Sequence, residues 1–256
     1  MEKQIGLEQL KLKKAIMDEY TELADNPDKK FHFWSGWPLT QKLGYHPDWL
    51  EGIPEGAFES FAGVGNPFEM GLPQPNQTVV DIGCGAGMDV LIASKFVQGG
   101  GLVIGVDMTP AMLEKAQSNA LNINATNTKF YMAEASALPF GNEMADLVIS
   151  NGVINLIPDK VRVFAEVYRI LKYGAKVQLA DVLLERPVPE SSKERVHLWT
   201  TCVAGGLLHE EYAQIMLECG FKNIEITKSF QVFEDAPVAS SALKFGARGY
   251  NIQAEK

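Results

Sequence analysis

Thr78-Val79-Val80-Asp81-Ile82-Gly83-Cys84-Gly85-Ala86-Gly87 is the stretch on which the fold of this chain turns. A β-branched run over 78 to 83 ends in an acid and then in three glycines at alternate positions, after which residues 87 to 97 read as a helix. Glycines so placed in a strand-to-helix turn let the backbone approach a ligand closely. A nicotinamide-binding turn has the form GxGxxG, but position 88, where its last glycine falls, is Met88.

The same alternation continues toward the C-terminus. Runs at 102 to 107, 129 to 134, 145 to 151 and 175 to 182 read as strands. Helices are expected at 110 to 121, opened by Thr109-Pro110, and at 159 to 172, closed by Gly174. Strands joined in this way by helices predict a doubly wound parallel α/β sheet of Rossmann-like form. Residues 187 to 222 interrupt the pattern as a mostly helical insertion, and 223 to 233 with 242 to 254 read as a final hairpin.

Toward the N-terminus, Ile5, Leu7, Leu10, Leu12, Ile16, Tyr20 and Leu23 recur at helical spacing, so a helix is expected over 5 to 24 with one face on apolar surface. From Phe31 to Pro75 aromatic residues crowd together with Gly and Pro and show little periodicity, which reads as a cap. The expected organisation is thus residues 1–75 as helix and aromatic cap, and 76–256 as the ligand-binding domain.

The chain has 256 residues, enough for one large domain with an appendage. Its 23 Lys and Arg against 32 Asp and Glu give a net charge of −9, which disfavours nucleic acid and anionic membrane as partners. No apolar run approaches a spanning helix, and the first twenty residues hold no apolar signal core. Cys84, Cys202 and Cys219 are too few and too scattered for a disulfide framework or a metal site, so a cytoplasmic location is expected, with no metal.

The DxGxGxG form resembles motif I of the class I methyltransferases, whose glycines accommodate the methionine part of S-adenosylmethionine. Three further segments follow in the order of that superfamily. Asp107 ends the second strand, where a carboxylate accepts hydrogen bonds from both ribose hydroxyls. The same side chain also suits a helix cap, and the sequence leaves both readings open. Ala133-Glu134-Ala135, followed by Ala137-Leu138-Pro139-Phe140, resembles a stretch in which an acid meets the adenine amino group, with Glu134 here in place of Asp. Ser150-Asn151-Gly152 follows the fourth strand, at the sheet edge where open α/β sheets bind ligands. The resemblance therefore assigns the cofactor to Asp81, Gly83, Gly85, Gly87, Asp107, Met108, Glu134, Ala135 and Asn151.

Gln41-Lys42-Leu43-Gly44-Tyr45, the stretch 62 to 68, the run 150 to 160, the run 169 to 182 and the stretch 197 to 207 are similar to the arsenite methyltransferases, a branch near the quinone-biosynthesis methyltransferases. That branch binds As(III) with three thiolates. In this chain the first matching position is Val64, the second is Gly152, and only the third, Cys202, is a cysteine. One thiol supplies neither the affinity nor the geometry of three. The expected acceptor is therefore a small molecule with an apolar or aromatic body, facing a wall of Phe31, Phe33, Trp34, Trp37 and Trp199. Asn151, Cys202 and His32 are the residues expected at the reacting end. His197 is a further candidate base, whereas each histidine and ring also has a simpler reading as packing or capping. Two alternatives stay open: arsenite methylation with Cys202 and an external thiol, and a protein that binds the cofactor or its product without turnover. The sequence does not give the oligomeric state.

Overall fold

The computed structural model describes residues 2–31, 33–189, 199, 203–234 and 239–256. The expected strands and helices are present with shifts of a few residues at their ends: β1 (Thr78–Ile82), α5 (Met88–Phe96), β2 (Leu102–Asp107), α6 (Pro110–Asn122), β3 (Thr128–Met132), β4 (Ala145–Asn151), α7 (Lys160–Ile170) and β5 (Leu171–Leu184). Ahead of them stand α1 (Glu2–Asp25), α2 (Trp37–Lys42), α3 (Pro47–Leu50) and α4 (Glu55–Glu59). After them come β6 (Leu207–Leu208), α8 (His209–Glu218), β7 (Lys222–Phe230), α9 (Ala239–Phe245) and β8 (Arg248–Glu255).

The sheet runs β3-β2-β1-β4-β5-β8-β7, with β6 beside β5. Strands β1 to β5 are mutually parallel, as the alternation with helices requires. The last strand departs from that pattern: β8 is antiparallel and lies between β5 and β7. The expected terminal hairpin exists as the β7–β8 pair, but the second run is part helix. Ala242 and Phe245 are buried three residues apart while Leu243 is exposed, which is a helical period, and Gly246 ends α9 with φ +63°.

Each central strand is buried on both faces, as a sheet covered by helices demands. Val79, Leu147 and Ile149 join the core formed with α5, α6 and the cap, while Val80, Ile82, Ile104 and Val148 pack with α7 and α8. Helix α7 begins where the Asp159 side chain accepts from the Arg162 N–H at 3.0 Å, satisfying an otherwise unpaired N-terminal donor. It ends at Ile170, before the Gly174 expected to close it, and Leu171 already belongs to β5.

The N-terminal helix lies on apolar surface as expected, with Leu12, Ile16 and Leu23 buried. In the cap, Tyr45 meets Phe61 and Phe68 edge to face, with ring centroids 5.5 and 6.3 Å apart, and Trp37 meets Phe58 at 4.9 Å. These rings hold the cap's short helices together. Part of the helical insertion, 190–198 and 200–202, lies outside the described residues; within the described part stand β6 and α8.

Candidate active site

The carboxyl ends of β1, β2 and β4, together with α1 and α4, enclose a cleft of about 400 Å³. Its floor is the glycine turn. Gly83, Gly85 and Gly87 all have positive φ, at +73°, +52° and +87°. A Cβ at Gly83 would stand 2.2 Å from Val153 Cγ2, and one at Gly87 would stand 3.1 Å from Ala116 Cβ, so these two glycines serve the packing of the turn. At Gly85 the nearest atom would be Met112 Sδ at 3.9 Å, and the space beyond opens into the cleft. This is the position at which a ligand can lie against bare backbone.

Asp107 both shapes that turn and faces the cleft. One carboxylate oxygen accepts from Gly85 N–H at 2.9 Å and the other from Thr109 N–H at 2.8 Å. The capping reading is therefore partly right: the side chain organises the start of α6, where Thr109 itself makes no side-chain cap bond. The Thr109 hydroxyl and the Met108 N–H also lean on this carboxylate, which still lines the cleft. Burial pushes the Asp107 carboxyl up, against the pull of the bonds from Thr109 and Gly85.

Two more carboxylates stand at the glycine end. Asp81 is buried, and its pKa is raised well above the usual carboxylate range, first by burial and then by the charges of Asp89 and Asp107. Asp89, in the first turn of α5, is raised to about 6 by burial, against hydrogen bonds from Tyr45 and Asn151. The Tyr45 hydroxyl donates to Asp89 Oδ1 at 2.8 Å. Among the described lining residues the cations are Lys13 and Arg162, at the mouth; Lys13 pairs with Glu134 and Arg162 Nε donates to the Ser136 carbonyl. The interior is thus lined by crowded acids whose ionisation a positively charged ligand would favour.

Asn151 lines the cleft as expected, but its amide is engaged by the cap. Its Oδ1 accepts from Val64 N–H at 2.8 Å, and its Nδ2 donates to the Gly65 carbonyl at 3.0 Å and to the Tyr45 hydroxyl at 3.1 Å. Met108, Glu134, Ala135 and Gly152 also line the cleft. Gly152 has φ +74°, and a Cβ on it would stand 3.5 Å from Val64 Cγ1, so the two positions that lack the expected thiols are neighbours. Cys202, His32 and His197 lie outside the described residues. Cys84 is buried, and burial pushes its thiol up, with the charges of Asp107 and Asp81 adding to the effect.

The expected aromatic wall is not assembled from the residues proposed for it. Phe31, Phe33, Trp34, Trp37 and Trp199 are absent from the described lining; the rings there are Tyr20 and Phe61. Phe31 and Phe33 stack on each other, and Phe33 also stacks on Tyr20. Trp34 donates its indole N–H to the Glu234 carbonyl at 2.8 Å and ties the cap to the segment after β7. Other partners take these side chains: Phe31, Phe33 and Trp37 pack with rings of α1 and the cap, Trp34 bonds to Glu234, and Trp199 lies beside Lys160. Asp89, Tyr45, Lys13 and Phe61 were not singled out from the sequence as site residues. An acid in the first turn of the helix after the glycines is a signal for Asp89, whereas Lys13 sits 121 residues from its partner and gives none.

Residues 73–220 match the family described as Methyltransferase domain. The chain belongs to that family. It is 38% identical over 187 residues to the arsenite methyltransferase of Halobacterium salinarum, covering 73% of this chain and 48% of that protein. It is 30% identical over 157 residues to the 2-methyl-6-phytyl-1,4-hydroquinone methyltransferase of Arabidopsis thaliana, covering 61% of this chain and 44% of that one. The crystal structure of an arsenic(III) S-adenosylmethionine methyltransferase from Chlamydomonas reinhardtii superposes with a TM-score of 0.70 at 34% identity, covering 81% of this chain and 71% of that one. The chain spans about half the length of the curated relatives it matches. Fold and family place it among the class I S-adenosylmethionine-dependent methyltransferases, and the similarity to the arsenite branch read from its motifs holds. Among the described residues no helix is long and apolar enough to cross a membrane.

The cleft fits this family's cofactor. Gly85 leaves room that a Cβ would occupy, the Asp107 carboxylate lines the cleft at the end of β2, and three acids face a ligand that carries both a sulfonium and an ammonium.

Proposed function

We propose that this chain transfers a methyl group from S-adenosylmethionine to a small acceptor with an apolar or aromatic body. The observation that carries the reading is the cleft itself: open backbone at Gly85, the Asp107 carboxylate and buried acids, all at the carboxyl edge of one parallel sheet. In this reading Asp81, Gly83, Gly85, Gly87, Asp107, Met108, Glu134, Ala135 and Asn151 surround the cofactor. Residues 1–75 form the cap of a catalytic domain over 76–256. The bound cofactor supplies an activated methyl group that needs no metal and no covalent enzyme intermediate.

What the chain contributes is position. Asn151 fastens the loop carrying Val64 and Gly65 to the end of β4, so cap and sheet meet at a fixed distance. Tyr20, Phe61, Ala62 and Leu156 give the acceptor an apolar wall that excludes water and sets its approach. The net charge of −9 and the scattered cysteines support a small-molecule acceptor, without nucleic acid, in the cytoplasm.

Val64 and Gly152 argue against As(III) as the acceptor, because sulfur is missing from two adjacent positions that the arsenite branch fills with thiols. The 38% identity to an arsenite methyltransferase favours a second reading, in which Cys202 and an external thiol hold As(III). Incubation with methyl-labelled S-adenosylmethionine, arsenite and glutathione separates the two. The proposal expects labelled product with apolar or aromatic acceptors and no methylated arsenic. Methylated arsenic as the main product would replace the first reading by the second. Cofactor binding without turnover on a broad acceptor panel would favour the non-catalytic alternative.

A further inference from the structure

The resemblance gives Glu134 to the adenine amino group, but its carboxylate already has a partner. Lys13 Nζ of α1 donates to Glu134 Oε1 across the mouth of the cleft. The lysine belongs to a wall. Leu12, Lys13, Ile16 and Tyr20, successive along one face of α1, all line the cleft. Leu12 and Ile16 are buried there, while Leu10 on the same wall is 65% exposed, apolar surface that a nucleoside in the cleft can cover.

The two ends of this helix are held differently. At its C-terminal end Leu23 is fully buried, the Leu23 carbonyl accepts from Ser60 Oγ at 3.2 Å, and the Ala24 carbonyl accepts from Lys115 Nζ at 3.2 Å. Toward the mouth, the Lys13–Glu134 pair is a polar tie from α1 to the sheet edge, with both side chains about half exposed. At the mouth Leu12 and Ile16 seat the helix in the core, and the ion pair adds a solvent-screened polar hold beside them.

We propose that α1 is the closing wall of the cofactor cleft and that Lys13 latches it through Glu134, so that Glu134 serves closure rather than the reading of adenine. Lys13 is a positioning residue: it acts on the ligand through the helix it holds. This rests on the cleft being the S-adenosylmethionine site. The latch is exposed, so its effect is modest, about two- to fivefold in ligand release, and it weakens with salt.

Stopped-flow release of S-adenosylhomocysteine, with hydrogen exchange of the α1 amides in the unliganded protein, tests the proposal. Lys13→Ala and Glu134→Gln should each speed release about two- to fivefold and speed exchange over residues 9–20. Added salt should shrink both differences. The charge-swapped double variant Lys13→Glu with Glu134→Lys should return release and exchange toward wild type, although it puts a cation where adenine recognition needs an acceptor. If Glu134 reads adenine instead, Lys13→Ala will release the ligand at the wild-type rate and the swap will be as impaired as Glu134→Gln; either result overturns the latch. Failure of the wild-type protein to bind S-adenosylhomocysteine would strike the cofactor reading, and the exchange of α1 would still decide whether Lys13 holds the helix.

Discussion

Replacing Asp89 by Asn should flatten the pH dependence of stability in a calculable way. Burial lifts this carboxyl from 3.8 to about 6, although Tyr45 and Asn151 donate to it. At 1.36 kcal/mol per tenfold change in proton affinity, that displacement corresponds to about 3 kcal/mol. The folded-state pKa lies above the unfolded one. Between about pH 4 and 6 the folded protein therefore keeps a proton that the unfolded chain has released. Stability is greatest below that window and falls as pH rises through it, with the full cost present by pH 7. Asp89→Asn keeps an acceptor for the Tyr45 hydroxyl and removes the charge. It also eases Asp81, whose upward shift owes its second-largest part to Asp89. Urea unfolding of both proteins at pH 4.5 and pH 7.5 measures the effect. The variant should gain about 2 kcal/mol relative to wild type between the two pH values, since part of the cost is already present at pH 4.5; whatever its amide loses by facing Asn151 Nδ2 is the same at both and cancels. Parallel pH curves for the two proteins would refute the reasoning, because they would mean that Asp89 is not a desolvated acid in the folded state.

The same proton couples to the ligand. A cationic ligand favours ionised Asp89, so affinity for S-adenosylmethionine measured by calorimetry should rise with pH through about 6 and level off above it, and Asp89→Asn should remove most of that rise. Gly85→Val should abolish detectable cofactor binding while leaving a folded protein, since a Cβ there meets no atom beyond its chain neighbours closer than 3.9 Å and the side chain grows into the cleft, and φ +52° adds strain of about 1 to 2 kcal/mol; circular dichroism with calorimetry checks both halves, and a binding-competent variant contradicts the placement. Val64→Cys combined with Gly152→Cys should create As(III) affinity in a chain that otherwise has little, because the two positions are 3.5 Å neighbours; equilibrium binding of As(III) in the presence of glutathione reads it out, and no gain over wild type means that the two thiols do not converge.

The doubly wound core was legible because its signals are local. Alternating glycines after a β-branched run, Thr109-Pro110 at a helix start and acids at strand ends each constrain backbone within a few residues. Asp81, Gly83, Gly85, Asp107, Met108, Glu134, Ala135 and Asn151 reach one cleft for the same reason: they sit at strand ends or in the loops after them, and a parallel sheet brings those ends to one edge. Gly87 does not line it and packs against Ala116 instead. The antiparallel place of β8 was not legible, since strand order depends on pairings between residues some seventy positions apart, such as Leu179 with Ile252. The cap misled for a related reason. Its rings have no period, and whether Trp34 faces the cleft or the Glu234 carbonyl is decided by a partner 200 residues away. Lys13 is the extreme case, a lysine on an ordinary amphipathic helix whose meaning comes from where α1 docks.

The central claim is that this cleft holds S-adenosylmethionine with Asp107 on its ribose. Calorimetric titration of wild type and Asp107→Ala with S-adenosylhomocysteine tests it most directly. Wild type should bind one equivalent, and Asp107→Ala should bind about 1.5 to 3 kcal/mol more weakly, roughly ten- to 150-fold, for the loss of charge-assisted hydrogen bonds. An Asp107→Ala protein that stays folded and binds with wild-type affinity would contradict the account, leaving Asp107 as no more than the acceptor of the Gly85 and Thr109 N–H groups.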